Sequence, residues 1–286
     1  MNFSITTWNV NGIRARKDLF LDWLKVNSPD ILCLQEIKCV NDDFPFSEIE
    51  EYGYNCYVNG QKSFNGVAIL SKYELTKITY ILDEKNPDEQ ARFIEATLEL
   101  PNDLSVIINC IYLPNGNPYP SEKFDYKLRW MDQLIKKAKE NISKEIPYII
   151  LGDFNIIPTE NDVYDFTKWT DDALFRIESK KKYRELCNLG LYDAHELINK
   201  GNVNFTHWDY QGGAWEKNHG IRIDHILLSS SACSMIHNFR THSQTRGLEK
   251  PSDHVPITAG FKSEHSLWNI KNFIVKHVNC GGGPLF

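Results

Sequence analysis

At five places in this sequence, a strand-like run or a short turn leads abruptly into residues with amide, carboxylate or imidazole side chains. The polar residues at these places are Asn9 with Asn11, Gln35 with Glu36, Asp153 with Asn155, Asp224 with His225, and Asp253 with His254. Polar groups at strand ends can converge on one edge of a rigid sheet. We therefore expect these residues to form a single polar site.

The residue types suit the hydrolysis of a phosphodiester, which needs charge neutralisation at the phosphate, an activated water and help for the leaving oxygen. Glu36 and Asp253 offer hard oxygen ligands that suit Mg²⁺ or Mn²⁺. Asp153 can take a proton from the attacking water. Asn9 and Asn155 can orient neighbouring oxygens without adding charge. The set therefore predicts metal-assisted attack by water on a phosphate ester.

Two further groups fit the same reaction. His254 can act on the phosphate or the water, and Asp224 can fix the tautomer of His254 and favour its imidazolium form. Tyr112, at the end of another apolar run, offers a phenol to a phosphate oxygen. Each residue alone is more often a turn, a cap or a core side chain than a catalytic group. Only the ordered set is specific.

The elements that must position these residues can be predicted from hydrophobic periodicity. Strands are expected over 3–10, 30–35, 67–70, 147–151, 221–228 and 255–260, a hairpin over 92–112, and helices over 19–26, 122–142 and 180–189. The strands are too often adjacent along the chain for a strict βαβ pattern. A layered protein with sheets inside and helices outside is expected, and the chain has no long Pro/Gly/Ser linker to divide it.

The ordered motifs resemble the exonuclease III family of AP endonucleases, within the wider endonuclease/exonuclease/phosphatase superfamily. The stretches that carry the resemblance are 8–15, 34–38, 65–71, 112–116, 152–156, 220–225 and 252–257, all in family order. The resemblance covers residues 1–261, which we expect to be one domain. Residues 262–286 fall outside it as a partly flexible tail, with a short amphipathic helix expected over 264–278.

The resemblance implies an α/β fold of the DNase I-like kind: a four-layer sandwich of two β-sheets packed face to face and flanked by α-helices. It also implies Mg²⁺-dependent incision of duplex DNA 5′ to abasic sites, together with 3′-to-5′ exonuclease activity. The metal-side residues are then Asn9, Glu36 and Asp253. The residues that act on the water and the phosphate are then Asp153, Asn155, His254, Asp224 and Tyr112.

Several residues are expected to contact DNA on the same basis: Arg92, Lys62, Gly66, Asn115, Trp208, Ile221 and Arg222. Arg92 resembles a phosphate-contacting arginine. Trp208 and Ile221 match the region that packs on an extrahelical abasic sugar, although plain core packing explains them equally well. Two features are left without an assigned role: His207, which stands where some relatives carry an aromatic residue, and the long connection over 171–183.

Composition limits the class of protein. The formal net charge of −6 argues against coating nucleic acid through overall charge, but it allows a local basic rim. Candidates for that rim are Arg14, Arg16, Lys17, Lys62, Arg92, Arg222, Arg246 and Lys250. The seven cysteines form no Cys-x-x-Cys pair and are expected to be reduced thiols. With no long apolar segment and no basic-apolar leader pattern, we expect a cytoplasmic monomer that makes no membrane contact.

Two kinds of alternative stay open. A lipid or inositol phosphatase, or an RNA deadenylase, would share the metal core, and a non-catalytic RNA-regulatory relative would share only the fold. The stretches around Gly66 and from Trp208 to Asp224 favour the DNA branch. The complete set of Asn9, Glu36, Asp153, Asn155, Asp224 and His254 argues against the non-catalytic alternative.

Overall fold

The computed structural model describes residues 2–101, 104–199 and 201–262. Its first sheet has six strands in the order β11-β12-β1-β2-β4-β3. These strands are β11 (Ile236–Thr241), β12 (Ile257–Lys262), β1 (Asn2–Asn9), β2 (Ile31–Gln35), β4 (Val67–Ser71) and β3 (Asn55–Asn59). β1 and β2 run parallel, because α1 (Lys17–Asn27) crosses between them, and the other pairs are antiparallel.

The second sheet also has six strands, in the order β5-β6-β7-β8-β10-β9. They are β5 (Leu75–Thr79), β6 (Phe93–Leu100), β7 (Leu104–Tyr112), β8 (Tyr148–Asp153), β10 (Asp224–Ser229) and β9 (Leu191–Asp193). β6 and β7 form the expected hairpin, and β7 and β8 run parallel because α3 (Glu122–Ile142) connects them. Ser121 caps the start of α3 by accepting from the Phe124 N–H.

Three hydrophobic clusters define the layers. The central cluster joins the facing sides of the two sheets, with residues such as Ile5, Ile69, Ile108 and Ile226. A second cluster packs the outer side of the second sheet on α3 and α4 (Ile177–Asn188). The third packs the outer side of the first sheet on α1 and α2 (Phe46–Glu50). The four-layer α/β sandwich expected from the resemblance is therefore confirmed.

The remaining α-helices, α5 (Ala194–Ile198) and α6 (Ser230–Cys233), are short. Both pack near β10 of the second sheet, and α5 also packs on β11 of the first sheet. No helix among the described residues has both the length and the apolar character needed to span a bilayer. The expected helix over 264–278 lies outside the described residues, and Lys262, placed with the tail in the sequence prediction, is the last residue of β12.

Strand register sets the positions of the site residues. In the second sheet, Asp153 pairs with Tyr112 on one side and with Asp224 on the other. In the first sheet, Asn9 at the end of β1 pairs with Gln35 at the end of β2, which places Glu36 directly beyond the sheet. Because the two sheets pack face to face, these ends meet at one edge of the sandwich.

Candidate active site

Asp153 lies at the centre of the cluster and has neighbours from both sheets. Its Oδ1 accepts the N–H of Asn155 at 2.9 Å. Its Oδ2 accepts from Nδ2 of Asn9 at 3.0 Å, and the same Nδ2 donates to Oε1 of Glu36 at 2.8 Å. The Asn9 carboxamide therefore links the carboxylates of the two sheets. Its own oxygen accepts from the Asn11 N–H at 3.0 Å, which fixes the orientation of the carboxamide.

His254 lies in the segment before β12 of the first sheet and contacts acids of the second sheet. Its Nδ1 donates to Oδ2 of Asp224 at 2.8 Å, and its Nε2 lies 3.7 Å from Oδ2 of Asp153. The indole N–H of Trp8 donates to the His254 carbonyl at 3.2 Å, which fixes the backbone that carries the ring. A carboxylate on the far nitrogen sets the orientation of the imidazole and leaves Nε2 facing the site.

Electrostatics separates the roles of these buried groups. Burial lowers the pKa of His254, but the carboxylates of Asp224 and Asp153 outweigh burial and raise it to about 10. Burial raises the pKa of Asp153, with Asp224 and Glu36 adding to the rise and His254 opposing it. An imidazolium thus stands beside a carboxylate that accepts a proton more readily than an exposed aspartate does.

Glu36 and Asp253 occupy different parts of the site. The ligand atoms of Glu36, Asp153 and His254 all lie within 4.8 Å of one another, and so do those of His207, Asp253 and His254. The sequence places Glu36 and Asp253 in one metal set, whereas the structure gives two candidate groups that share His254. Burial raises the pKa of Asp253, but hydrogen bonding from His207 and the charge of His254 outweigh it, so the pKa falls well below its usual range.

A lysine lies between these two groups. The ammonium of Lys38 is 2.7 Å from Oε2 of Glu36 and donates to the Asn11 carboxamide oxygen, while Nδ2 of Asn11 donates to Asp253 at 3.0 Å. Burial opposes ionisation of Glu36, but Lys38 and Asn9 lower its pKa. Glu36, Lys38 and Asn11 all have positive φ, a strained conformation that often marks functional sites.

Tyr112 faces the same carboxylates with an arginine against its ring. Burial, Glu36 and Asp153 raise the pKa of Tyr112 well above its usual value, so the phenol stays protonated and can donate. The Arg92 guanidinium lies 4.7 Å from the Tyr112 ring centroid and donates to the Tyr112 carbonyl at 3.2 Å. Arg92 is buried, and its guanidinium holds the ring and the backbone of Tyr112 in place.

Asn155 is held by a ring of hydrogen bonds just beyond β8. Its Nδ2 donates to the Leu113 carbonyl at 2.9 Å, and its Oδ1 accepts from Nδ2 of Asn115 at 3.0 Å. Asn115 itself is exposed at the rim. Asn155 also has a positive φ of 47°, which turns its backbone back towards Asp153.

Arg222 requires a correction, because the structure removes it from the expected DNA-binding set. It is 4% exposed, and its guanidinium donates to Asp162 at 2.6 Å and to Asp193 at 2.6 Å. A guanidinium whose fork is taken up by two buried carboxylates has no free edge for a phosphate. Arg222 instead ties the segment before β10 to β9 and to the loop that contains Asp162.

Trp208, Ile221 and Gly66 also have structural explanations. Trp208 is 3% exposed and donates to Asn218, and Ile221 is 2% exposed within a small apolar cluster, so core packing accounts for both. Gly66 has φ +85°, and a Cβ there would lie 2.5 Å from Cγ1 of Ile37. Close packing on Ile37 therefore explains this glycine without DNA. Lys62, in the same loop, is exposed.

Sequence reasoning assigned no role to three residues of the site. Lys38 stands two positions after Glu36, but lysines are so common on surfaces that the spacing gave no warning. His207 has its ring 4.7 Å from the ring of His254. The third, Lys127, lies in phase with the apolar stripe of α3, and a charged residue on a buried helix face is a signal that could have revealed it.

Two packed sheets that bring an imidazolium–carboxylate pair, further acids and amides to one edge define a hydrolase of phosphate esters. Comparison with known proteins agrees with this class. The family model described as "Endonuclease/Exonuclease/phosphatase family" matches residues 6–254. The chain belongs to this endonuclease/exonuclease/phosphatase family.

Individual relatives match nearly the whole chain. Exodeoxyribonuclease III of Haemophilus influenzae is 34% identical over 264 residues, which cover 90% of this chain and 98% of the relative. An AP endonuclease from Archaeoglobus fulgidus superposes with a TM-score of 0.85 at 34% identity, covering 91% of this chain and 99% of the other. A 3′ phosphatase, NExo, from Neisseria, bound to a product DNA hairpin, gives a TM-score of 0.85 at 35% identity with the same coverage of each chain.

Proposed function

We propose that this protein is a DNA repair nuclease that hydrolyses the phosphodiester 5′ to abasic sites in duplex DNA and removes nucleotides or blocking groups from 3′ ends. The observation that carries the proposal is the placement of Asp153 between Tyr112, the Asp224–His254 pair and the Asn9–Glu36 pair. The relatives named as an exodeoxyribonuclease III, an AP endonuclease and a 3′ phosphatase support DNA as the substrate.

Asp153 is the group that takes a proton from the attacking water. Its raised pKa makes it a better base than an exposed aspartate, and its position beside Asn155 gives the water a second polar partner. His254, held as an imidazolium by Asp224, stabilises the charge on a phosphate oxygen through Nε2. The protonated phenol of Tyr112 donates to another phosphate oxygen.

The donor set fits a divalent ion that prefers oxygen ligands, and we propose Mg²⁺ with Mn²⁺ as a substitute. Glu36 supplies the principal carboxylate, with Asp153 within the same group and Asp253 on the other side of the shared His254. One oxygen of Asp224 is buried without a hydrogen-bond partner among the described atoms, which leaves further acceptor capacity beside His254. When bound, Mg²⁺ would neutralise charge on the phosphate and leaving oxygen.

DNA contacts fall to the exposed rim around this edge. We assign a phosphate contact to Lys62 and a backbone contact to Asn115, since both side chains are exposed beside the site. Arg92 acts by supporting Tyr112. The protein would act on duplex DNA in the cytoplasm as a monomer.

One assay tests the proposal directly. A duplex with a single abasic-site analogue is incubated with the protein and Mg²⁺, with Mn²⁺, and with EDTA, and the products are sized against markers. A metal-dependent nick on the 5′ side of the lesion is expected, together with shortening of 3′ ends. Binding to the duplex without any metal-dependent cleavage would instead support a non-catalytic role.

A second substrate separates the DNA branch from the other branches. The same protein is offered an inositol phosphate and a polyadenylate RNA under identical metal conditions. Cleavage of either substrate at a rate above that of the abasic duplex would contradict the DNA assignment while leaving the hydrolase class intact.

A further inference from the structure

Lys127 is the most deeply buried charged side chain near the site and has no role in the chemistry proposed above. It stands on α3 in phase with Trp130, Met131 and Leu134 and is 0% exposed. Burial lowers the pKa of Lys127 to about 7, against the pull of Asp172 and Asp153. A buried amine must find hydrogen-bond partners to be tolerated, so its contacts indicate what it does.

The ammonium has three donors and three backbone carbonyls around it. Nζ donates to the carbonyl of Asn155 at 2.7 Å, to that of Asn115 at 3.0 Å and to that of Ala173 at 3.3 Å. These carbonyls belong to three separate loops, one after β7, one after β8 and one before α4. A single side chain therefore joins three segments that no strand pairing holds together.

Two of those loops carry candidate site residues. Asn155, with its positive φ, donates its N–H to Asp153, and Asn115 donates to the Asn155 carboxamide. The next residue, Gly116, has φ +89°, and a Cβ there would lie 2.7 Å from Cδ of Lys127. The loop after β7 is thus shaped to lie directly on the lysine stem.

The third loop belongs to the connection over 171–183, for which the sequence suggests no clear role. Asn117 donates to both carboxylate oxygens of Asp172 at 3.1 Å and accepts from the Ala173 N–H at 3.0 Å. The Ala173 carbonyl also accepts from the Ser179 hydroxyl at 2.7 Å. Lys127 is therefore one of the contacts that fasten this connection to the site, together with Asn117 and the Ile157 N–H, which donates to the Leu174 carbonyl at 2.9 Å.

We propose that Lys127 is a positioning residue, whose bonds to the carbonyls of Asn155, Asn115 and Ala173 hold the Asn155 carboxamide in register with Asp153 for the reaction. The proposal rests on the proposed nuclease function. Lys127 touches neither substrate nor water in this account, and it acts through Asn155. Removing its donors should therefore slow turnover with little effect on DNA binding.

The test compares Lys127→Met, Lys127→Arg and the control Lys123→Met, which makes the same change at an exposed position of the same helix. We expect Lys127→Met to lower kcat on the abasic duplex by about tenfold to a hundredfold, as displacement of one positioned group does, with KM changed less than about threefold. Lys127→Arg keeps a cation and its donors and should recover part of kcat. Lys123→Met should match the wild type.

A double-mutant cycle with Asn155→Ala separates positioning from general stability. If Lys127 acts through Asn155, then Lys127→Met should cost little further activity in the Asn155→Ala background. Equal losses in both backgrounds, or a folded Lys127→Met with kcat within about twofold of wild type, would overturn the proposal.

A measurement on the unmutated protein covers the case in which Lys127→Met does not fold, or in which no nuclease activity is found. In protein labelled with ¹⁵N at lysine, one Nζ group should exchange its protons far more slowly than the rest, and Lys127→Arg should remove that signal. Fast exchange at every lysine would refute the three-carbonyl contact itself. Slow exchange in a protein without nuclease activity would count against the proposed function and not against the contact.

Discussion

Asp153 is the residue at which the hydrogen bonds of both sheets meet, which makes its substitution informative. Asp153→Asn keeps the shape of the side chain but removes the group that accepts a proton. We expect kcat to fall by at least about a thousandfold, while the Kd for abasic duplex changes only a few-fold. Steady-state kinetics and binding measured at the same pH and salt would check both values.

The control for this substitution is Asp22→Asn, which makes the same change at an exposed position on α1. A loss of cooperative unfolding in Asp153→Asn would mean that the carboxylate is needed for the fold. Turnover close to the wild-type rate would remove Asp153 from the mechanism.

Arg92 and Lys62 differ in exposure, and their variants should differ in salt dependence. Lys62 is exposed, so Lys62→Ala should weaken DNA binding and reduce the slope of log K against log salt by about 1. Arg92 is buried against Tyr112, so Arg92→Ala should lower kcat and leave that slope unchanged. A reduced slope in Arg92→Ala would restore the direct phosphate contact that the sequence suggests.

The sequence identified residue types better than it identified their partners. Asp153, Asp224, His254 and Glu36 converge because each lies at or beside the end of a strand, and strands can be recognised from local pattern. Arg222 was wrongly placed among the DNA-binding residues, because its partners Asp162 and Asp193 are 60 and 29 positions away and no local pattern reveals them. Burial of a polar residue is a tertiary property.

At the scale of elements, long amphipathic or fully buried segments were predictable and short edge strands were not. Helix α3 begins and ends at the predicted residues, and the β6–β7 hairpin was expected. The strands β3, β5, β9 and β11 were missed. They are short or largely exposed, so their sequences lack an apolar run and their positions depend on neighbouring strands.

Gly152, the residue before Asp153 in β8, supports another prediction at this scale. Its φ is +148°, and a Cβ there would lie 1.9 Å from the Ile111 carbonyl oxygen of β7. Gly152→Ala must therefore push β7 and β8 apart where they position Tyr112 and Asp153. We expect the free energy of unfolding to fall by about 3–5 kcal/mol, because backbone strain and overpacking act together.

Chemical denaturation checks this value, with Gly53→Ala as the control. Gly53 also has a positive φ, +84°, but a Cβ there would meet nothing within 4 Å. Its alanine variant should lose only about 1–2 kcal/mol, the cost of the left-handed conformation. Equal losses at the two positions would show that β7 is not the cause.

At the scale of the whole molecule, a net charge of −6 coexists with a site that concentrates carboxylates at one edge of the sandwich. The half-buried Lys38 and the buried Lys127, Arg92 and Arg222 each lie against carboxylates, carbonyls or an aromatic ring near that edge. These cations partly neutralise the carboxylates that cluster at this edge of the sandwich. This explains why overall charge is a poor guide to the polarity of the site.

Stability against acid is a property of the whole fold, and one histidine away from the site should contribute to it measurably. His242 is 6% exposed, and its Nε2 lies 2.9 Å from Oγ1 of Thr258. Its ring meets the edge of Trp23 at 5.3 Å. Burial, together with the charge of Arg240, lowers the pKa of His242 from 6.5 to about 4.

The direction of the pH effect follows from linkage. Between pH 6.5 and pH 4 the unfolded chain protonates His242 and the folded chain does not, so the unfolded state binds more protons and stability falls as the pH falls. The stabilisation from neutral His242 is fully present above pH 6.5. By pH 4 the free energy of unfolding has fallen by about 3 kcal/mol from this group. His242→Gln cannot titrate, so the drop in its unfolding free energy between pH 7 and pH 4 should be smaller by about that amount. His237→Gln, at an exposed position of β11, the strand that ends just before His242, should show the wild-type drop. Parallel pH profiles for His242→Gln and the wild type would mean that His242 is protonated equally in the folded and unfolded states.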